Sequence, residues 1–248
     1  MLPHLLAGIS SGLPTSLKYK LGGLRRPYTF LMRLGRRVVK VKSIAGSVNW
    51  EIDELTSQQF LRGTYEPYMQ EEFARFIRPG DIVYDVGAHA GYHSLLCGLL
   101  VGSTGRVFAF EPHPLNCRSI QRQMDLNPAL NVTLVPQALS DVCARVQLDS
   151  KPGRSQTHIS EKGEFAAEAT TIDYLIETGA LPPPTLIKID VEGHEAQVLR
   201  GGLKTIETHR PIVLCDHHDS LTFPTVNELM TPLGYDVSDA SLVISIPR

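Results

Sequence analysis

The sequence predicts an α/β fold built on a mostly parallel β-sheet with helices on both faces. Short apolar runs rich in β-branched and aromatic residues alternate along the chain with stretches of helical periodicity. A turn that contains glycines, within residues 80–92, joins the first buried run to a helix. The last apolar runs, 235–237 and 242–246, are close in sequence, and we expect a hairpin there with an antiparallel closing strand.

The predicted elements follow one another in a regular order. Apolar residues at helical spacing predict a helix over 69–76, which Pro79-Gly80 ends before the strand 82–86. Residues 137–141 are expected to form a loop, and residues 150–169 a mobile surface segment. The further predicted strands are 106–110, 132–135, 144–148, 186–189 and 211–215, and the further predicted helices are 92–100, 114–127, 172–178, 196–200 and 226–233.

Composition indicates an ordinary globular chain. Of its 248 residues, 42% are hydrophobic and 20% charged, and a net charge of −2 gives no global reason to expect a nucleic-acid partner. No run reaches the ~18–20 apolar residues that a membrane-spanning helix needs, and the first nine residues lack the basic flank of a signal peptide. We therefore expect a cytoplasmic protein, in which the four cysteines, none in C-x-x-C spacing, are free thiols.

The first fifty residues are strongly basic. They contain nine Lys and Arg residues and neither Asp nor Glu, interleaved with apolar and aromatic side chains. This pattern is typical either of a surface for an anionic acceptor or a membrane, or of a solvated helix face. Residues 37–43 and 48–52 alternate and predict a hairpin that turns at 45–47. We expect residues 1–62 to form a helical and hairpin extension, a cap or lid, and residues 63–248 to form the main domain.

The glycine-containing turn indicates a nucleotide-like ligand. Gly87 and Gly91 flank the turn, and the helix that follows presents its first N–H groups to whatever binds there. Glu111 stands 20 residues after Gly91, at the end of the second strand, where a carboxylate binds a ribose diol. The alternative is that both glycines serve only the packing of strand against helix.

Two details favour S-adenosylmethionine (SAM) over a dinucleotide. The spacing G-x-G-x-x-G is absent, and the carboxylate of Asp85 directly before the turn suits an ammonium group better than a pyrophosphate. SAM carries an ammonium, a sulfonium and a ribose. A nicotinamide-dependent oxidoreductase stays open as an alternative, because it uses the same architecture.

Polar side chains follow two neighbouring strands of the predicted sheet. Because the carboxyl ends of parallel strands meet at one edge, where open α/β sheets bind ligands, we expect these side chains to lie together. A histidine there is a suitable proton acceptor, since its pKa lies near the working pH, but it can equally be a polar loop residue. The acids and histidines could also hold a divalent metal. These residues are Asp190, Glu192, His194, Asp216, His217 and His218.

Four ordered motifs resemble the FkbM-type family of SAM-dependent methyltransferases. They are Asp85-Val-Gly-Ala-His-Ala-Gly-Tyr92, Phe110-Glu-Pro112, Ala138-Leu-Ser-Asp141 and Ile187-Lys-Ile-Asp-Val-Glu-Gly-His-Glu195, and Gly63-Thr-Tyr-Glu66 is similar too. The resemblance covers about residues 60–248. It implies a class I methyltransferase (Rossmann-like) fold, a seven-stranded sheet with an antiparallel last strand. It also implies methyl transfer from SAM to a hydroxyl of a sugar, glycan or other natural product.

The resemblance also implies roles for individual residues. Asp85, Gly87 and Gly91 would hold the methionine part of SAM, Glu111 the ribose, and Asp141 the adenine amine. Asp190 would lie near the sulfonium, and the family usually has Asn where this chain has His89. The full set of expected cofactor contacts is Tyr65, Glu66, Asp85, Gly87, His89, Gly91, Glu111, Pro112, Ser140, Asp141 and Asp190.

His217 is the expected proton acceptor, with Asp190 or Glu192 orienting its ring. The expected partner is a small-molecule or glycan acceptor, and the basic N-terminus suits either an anionic acceptor or contact with a membrane surface. Three further alternatives stay open. They are a metal-dependent O-methyltransferase using Asp190 and Glu192, a metallohydrolase built on these acids with His194 and His217, and a non-catalytic membrane-bound accessory protein.

Overall fold

The computed structural model describes residues 37–150, 157–159, 165–216, 222–239 and 242–248. Most of the basic N-terminal segment lies outside these residues, so the interpretations of that segment stay predictions. The same holds for the proposed proton acceptor His217 and for its neighbour His218.

Short strands and helices alternate through the described part of the chain. The strands are β1 (Val38–Ser43), β2 (Gly46–Glu51), β3 (Ile82–Val86), β4 (Arg106–Phe110), β5 (Val132–Val135), β6 (Ala138–Leu139), β7 (Ala144–Ser150), β8 (Thr157–Ile159), β9 (Phe165–Thr170), β10 (Leu186–Ile189), β11 (Ile212–Cys215), β12 (Tyr235–Asp239) and β13 (Val243–Pro247). The α-helices are α1 (Gln58–Arg62), α2 (Pro67–Phe76), α3 (Tyr92–Val101), α4 (Pro114–Asp125), α5 (Ile172–Glu177), α6 (Glu195–Arg200), α7 (Leu203–His209) and α8 (Thr222–Met230).

Seven of these strands form the central sheet, in the order β12-β13-β11-β10-β3-β4-β5. β13 is antiparallel to both of its neighbours, whereas β11, β10, β3, β4 and β5 pair in parallel. The predicted fold class, a mostly parallel sheet whose last strand is antiparallel, is confirmed. The strands β3, β10 and β11 lie at its centre, so their carboxyl ends share one edge.

The central strands are buried on both faces. On one face Tyr84, Ile187 and Val213 belong to a single core cluster. On the opposite face Val83 and Leu186 belong to a second cluster, which includes residues of α2 and α3. This alternation explains why these strands are almost continuously apolar in sequence. α3 is itself buried around most of its circumference, because it lies between the sheet and the N-terminal hairpin.

The N-terminal hairpin is confirmed, but its turn is one residue earlier than expected. β1 and β2 pair in antiparallel register from Val38 opposite Glu51 to Ser43 opposite Gly46, so the turn is Ile44-Ala45 and not 45–47. Hydrogen bonds from the hairpin to α4 hold it in place, among them Glu51 N to Gln123 Oε1 at 2.9 Å. The hairpin is therefore fastened to the helices of the sheet domain.

A second, smaller sheet corrects two expectations. The predicted mobile segment 150–169 contains β8 and all but the last residue of β9, and the predicted loop 137–141 contains β6. These strands join β7 in a sheet of order β6-β9-β7-β8. Pairing with β6 and β7, which are distant in sequence, satisfies the backbone of β9, and polar composition alone did not reveal it.

The sequence also failed to predict helix α7. Gly201 ends α6 as its C-cap, as predicted, but the following Gly202 is also the N-cap of a further helix that the sequence did not indicate. A Cβ atom on Gly201 would lie 1.9 Å from the carbonyl oxygen of Ser140, so this glycine permits a close approach between two segments.

All four cysteines are free; Cys97 and Cys215 are buried, Cys117 is half-buried and Cys143 is exposed. Within the described ranges no helix has the length and apolar character needed to cross a membrane.

Candidate active site

The glycine turn after β3 is held mainly by protein contacts. A Cβ on Gly87 would lie 1.9 Å from the carbonyl oxygen of Asp190, and Gly87 has a φ of +79°. The N–H groups of Gly87 and Ala88 both donate to the carbonyl oxygen of Phe110 at 3.0 Å. Gly91 faces Ile120 of α4, whose side chain would lie 3.2 Å from an added Cβ. Close packing therefore accounts for both glycines, whatever else the turn binds.

A pocket opens above this turn at the carboxyl edge of the sheet. Among the residues expected to contact the cofactor, Tyr65, Gly87, His89 and Asp190 line it. The rest of the lining comes from two alanines of the turn, aromatic residues of α1 and the start of α3, and a buried lysine of β10. These residues are Ala88, Ala90, Phe60, Tyr92, His93 and Lys188.

His89 occupies a left-handed backbone position in the turn. Its φ is +51°, a conformation in which Asn is favoured among residues other than glycine. The Asn that the resemblance implies at this position would suit the same backbone conformation. Burial lowers the pKa of the His89 ring, so the ring is neutral at physiological pH. Its Nε2 atom is buried and has no hydrogen-bond partner among the described residues.

Glu111 connects the turn to the segment that follows β4. Its Oε2 accepts from the backbone N–H of His89 at 2.9 Å, and its Oε1 from the N–H of His113 at 2.8 Å. Only 4% of the residue is exposed, and burial raises the pKa of its carboxyl group to about 7. The side chain of Asn116 donates to the same carboxylate, which still leaves an acceptor site that a ribose hydroxyl can use.

Asp85 lies beneath the turn and not in the pocket. The residue is fully buried, its Oδ2 accepts from the hydroxyl of Ser94 at 2.5 Å, and its Oδ1 lies 3.0 Å from Nζ of Lys188. A lysine of the chain itself thus occupies the position beside Asp85 at which we expected the ammonium group of the cofactor.

Lys188 was not among the expected site residues. Its Nζ also lies 3.2 Å from Oδ2 of Asp190 and donates to the carbonyl oxygen of Gly87 at 3.0 Å. A charged residue within a four-residue strand that is otherwise apolar was the available signal, because lysine is almost never fully buried unless it is paired.

Three carboxylates from separate segments meet at the edge of the pocket. Glu66 precedes α2, Asp190 follows β10 and Asp216 follows β11, and each offers an oxygen within 4.8 Å of the other two. We call these residues the acid cluster. Glu192 is not part of it, although Asp190 with Glu192 was the pair expected from sequence. The cluster concentrates negative charge where a cationic ligand can use it.

Burial and neighbouring charges perturb the groups around the acid cluster. Burial raises the pKa of Glu66 to about 7, with further upward contributions from Asp190 and Asp216. Burial, followed by the charge of Glu66, raises the pKa of the Tyr65 phenol. His93 lies 3.7 Å from Glu66, between Nε2 and Oε2, and burial lowers its pKa to about 4. That ring is therefore neutral, and the cluster gains no positive charge from it at pH 7.

The residues expected at the adenine end are adjacent to one another. The buried hydroxyl of Ser140 donates to Oδ1 of Asp141 at 3.1 Å and lies 3.0 Å from Nε2 of His194. Pro112 is half-buried directly after Glu111. His194 therefore links the segment after β10 to the segment after β6, a contact that only tertiary structure reveals.

The sequence matches the family model for the methyltransferase FkbM domain over residues 85–237, which is more than half of the chain. Among curated proteins, the hexuronic acid methyltransferase AglP of Haloferax volcanii is 30% identical over 141 residues, 55% of this chain and 56% of that protein. This chain thus spans little more than half the length of that relative.

Solved structures share the fold. The methyltransferase FkbM of Methylobacillus flagellatus is 20% identical with a TM-score of 0.51, and the match covers 73% of this chain and 51% of that one. A SAM-dependent O-methyltransferase of Thermotoga maritima is 10% identical with a TM-score of 0.50, covering 84% of this chain and 77% of that one. The family match, together with this fold, confirms the resemblance seen in the sequence. The chain belongs to the FkbM methyltransferase family.

Proposed function

We propose that this chain transfers a methyl group from SAM to a hydroxyl group of a sugar or glycan. The observation that supports this most directly is the acid cluster beside the glycine turn. Carboxylate oxygens of Glu66, Asp190 and Asp216 lie within 4.8 Å of one another there. Negative charge at this edge suits a donor that carries both a sulfonium and an ammonium group. The similarity to a hexuronic acid methyltransferase favours a sugar as the acceptor.

The proposed cofactor position follows from the surrounding contacts. The ribose would lie against Glu111, whose oxygens can accept its hydroxyls while retaining their backbone donors. The adenine would lie toward Ser140 and Asp141. The methionine part would lie over the turn from Gly87 to Gly91, with its cationic groups toward the acid cluster.

The proposed reaction is an in-line displacement at the methyl carbon. The acceptor oxygen forms a bond to that carbon as the carbon–sulfur bond breaks, which leaves neutral S-adenosylhomocysteine, and the hydroxyl proton passes to a base. Alignment of acceptor, methyl and sulfur is the main task of the protein, and a positioned base adds to the rate. His217 remains the proposed base, with Glu66 as the second candidate because burial brings its pKa to about 7.

A carboxylated sugar is the acceptor class that we favour. A uronic acid carries both a free hydroxyl and a negative charge, and the basic N-terminal segment would attract such a ligand. The same segment would also be attracted to an anionic membrane surface. The free cysteines agree with a cytoplasmic location. Nothing in the net charge of −2 favours nucleic acid as a partner.

The test is binding followed by turnover. Isothermal titration of the purified chain with SAM, NAD and zinc should show binding of SAM, and incubation with SAM and a panel of neutral and uronic-acid oligosaccharides should give a methylated product by mass spectrometry. Treatment of that product with alkali separates a methyl ether, which resists it, from a methyl ester, which does not. Binding of NAD without SAM would contradict the proposal and favour an oxidoreductase.

A further inference from the structure

Lys188 lies in the interior of the protein although its side chain is charged. It is on β10, directly opposite Asp85 of β3 in the strand register, and its side chain is 2% exposed. Transfer of an ammonium group from water to such a position is costly unless the group is paired and hydrogen-bonded. The contacts of Lys188 must therefore offset that cost.

Three acceptors surround the Lys188 ammonium group. Nζ lies 3.0 Å from Oδ1 of Asp85, 3.0 Å from the carbonyl oxygen of Gly87 and 3.2 Å from Oδ2 of Asp190. An ammonium group has three N–H donors. The contact with Gly87 has hydrogen-bond geometry, and the carboxylates of Asp85 and Asp190 lie within ion-pair distance. The acceptors belong to the end of β3, the glycine turn and the segment after β10. One side chain thus ties together the three segments that form the floor of the pocket.

The charge of Lys188 matters as much as its hydrogen bonds. Burial alone lowers its pKa, but the carboxylates of Asp190, Asp85 and Glu66 outweigh burial and hold the pKa above its ordinary value. The side chain is therefore a permanent cation next to the acid cluster. It holds one oxygen of Asp190 from below, and so sets how that carboxylate is presented to the pocket.

We propose that Lys188 is a positioning residue, whose ammonium group holds the carboxylate of Asp190 and the carbonyl of Gly87 so that Asp190 faces the sulfonium of the bound methyl donor. This inference rests on the proposed function. Lys188 itself need not touch the reacting atoms. Its effect should therefore depend on Asp190 and on the positive charge of the ligand.

The test compares the cationic donor with its neutral product. SAM and S-adenosylhomocysteine differ in the methyl group and in the charge at sulfur, so a correctly placed Asp190 should favour SAM. We expect Asp190→Asn to lower the ratio of SAM affinity to S-adenosylhomocysteine affinity by roughly tenfold, the worth of a charged hydrogen-bonding group. Lys188→Met should lower the same ratio. In the double variant the ratio should be no lower than in the more affected single variant, because both substitutions remove the same interaction.

A purely structural role gives a different result. Lys188→Met would then weaken both ligands equally, and its effect would add to that of Asp190→Asn; either finding, or an unchanged ratio, would overturn the proposal. If Lys188→Met does not fold, Lys188→Arg replaces it, because arginine keeps the charge but cannot reproduce the three contacts of a lysine. That variant should lower the ratio less, but in the same direction, and no change would again contradict the proposal.

Controls separate this proposal from the proposed function. Lys204→Met removes an exposed lysine that pairs with Glu177 on the surface, and it should leave both affinities unchanged. If the unaltered protein binds neither SAM nor S-adenosylhomocysteine, the proposed function fails. If it binds both and the variants change them equally, only the role of Lys188 fails.

Discussion

The carboxylate of Glu111 accepts the backbone N–H of His89 at 2.9 Å, which joins the end of β4 to the turn after β3. The residue at the proposed ribose site is therefore also a support of the turn. Replacement of Glu111 by Ala should weaken SAM binding by roughly 1–3 kcal/mol, because a charged hydrogen-bonding group is lost. It should also lower the melting temperature, since two buried N–H groups lose their acceptor. Titration calorimetry and thermal unfolding would measure the two effects, and unchanged SAM affinity would remove Glu111 from the site.

Gly87 should not tolerate a side chain. In Gly87→Ala the new Cβ would lie 1.9 Å from the Asp190 carbonyl oxygen, so the turn or the segment after β10 must move. Gly179 is a matched control, because it has a φ of +68° but no atom within 4 Å of an added Cβ. Gly179→Ala should cost only the backbone strain of roughly 1–2 kcal/mol. Gly87→Ala should cost clearly more in urea unfolding and should also reduce SAM affinity. Equal costs for the two variants would show that the close contact is unimportant.

Ionisation of Glu66 should destabilise the fold. Burial raises the pKa of the Glu66 carboxyl group in the folded protein to about 7, from its ordinary value of 4.5. Between these values the folded state binds a proton that the unfolded state has lost, so the stability from this group is present at low pH and is lost as pH rises through about 7. Glu66→Gln removes this dependence. The free energy of unfolding of the variant, relative to that of the unaltered protein, should therefore rise by roughly 1–3 kcal/mol between about pH 5 and pH 8. Parallel pH curves for the two proteins would contradict the expectation.

The identity of the base can be decided by paired substitutions. His217→Ala should keep SAM affinity and lose roughly a hundred-fold or more in turnover, as expected for a positioned base, while His218→Ala should matter less. If Glu66 is the base, Glu66→Gln should show the larger loss instead.

A metal gives a third pattern. Both histidine variants would be mild, Asp190→Ala or Glu192→Ala would be inactive, and chelators would abolish turnover. We expect turnover to continue in the presence of a chelator, because Lys188 already supplies a cation beside Asp190.

The basic N-terminal segment can be tested by truncation after residue 36, which leaves the hairpin intact. If the segment attracts an anionic acceptor, the truncated protein should keep its SAM affinity but lose turnover at low salt. Added salt should lower acceptor turnover by the full chain steeply and by the truncated chain little, because salt screens exposed charges. Unchanged turnover would favour a solvated face. Truncation to residue 60 is unsuitable, because it would remove the fully buried Trp50.

The central sheet was predictable because each of its strands can be recognised from its own local sequence. Residues 82–86 and 186–189 are apolar runs of the right length between turn residues, and the parallel arrangement follows from the helices between them. The small sheet was not predictable in this way, because β9 depends on partners in β6 and β7 more than on its own composition.

In the candidate site, too, the residues in local motifs were predictable, and those brought together only by tertiary structure were not. The motifs indicated Glu111 and the glycine turn, since their spacing in sequence reflects one strand–turn–helix unit. The acid cluster joins Glu66 to Asp216, which are far apart in the chain, and only the order of the strands brings them together. The partner of Asp85 depended on the register between β3 and β10, which places Lys188 opposite it.

The aromatic ring of Phe60 stacks on Tyr92, with ring centroids 4.9 Å apart, and both rings line the pocket. Trp50 of the hairpin makes edge-to-face contacts with both rings. One wall of the pocket is thus formed jointly by α1 of the N-terminal region and by α3 of the sheet domain. Ligand binding in the pocket should therefore slow amide hydrogen exchange in β2, which the ligand itself does not contact. Conversely, a substitution in the hairpin should change the residence time of the ligand.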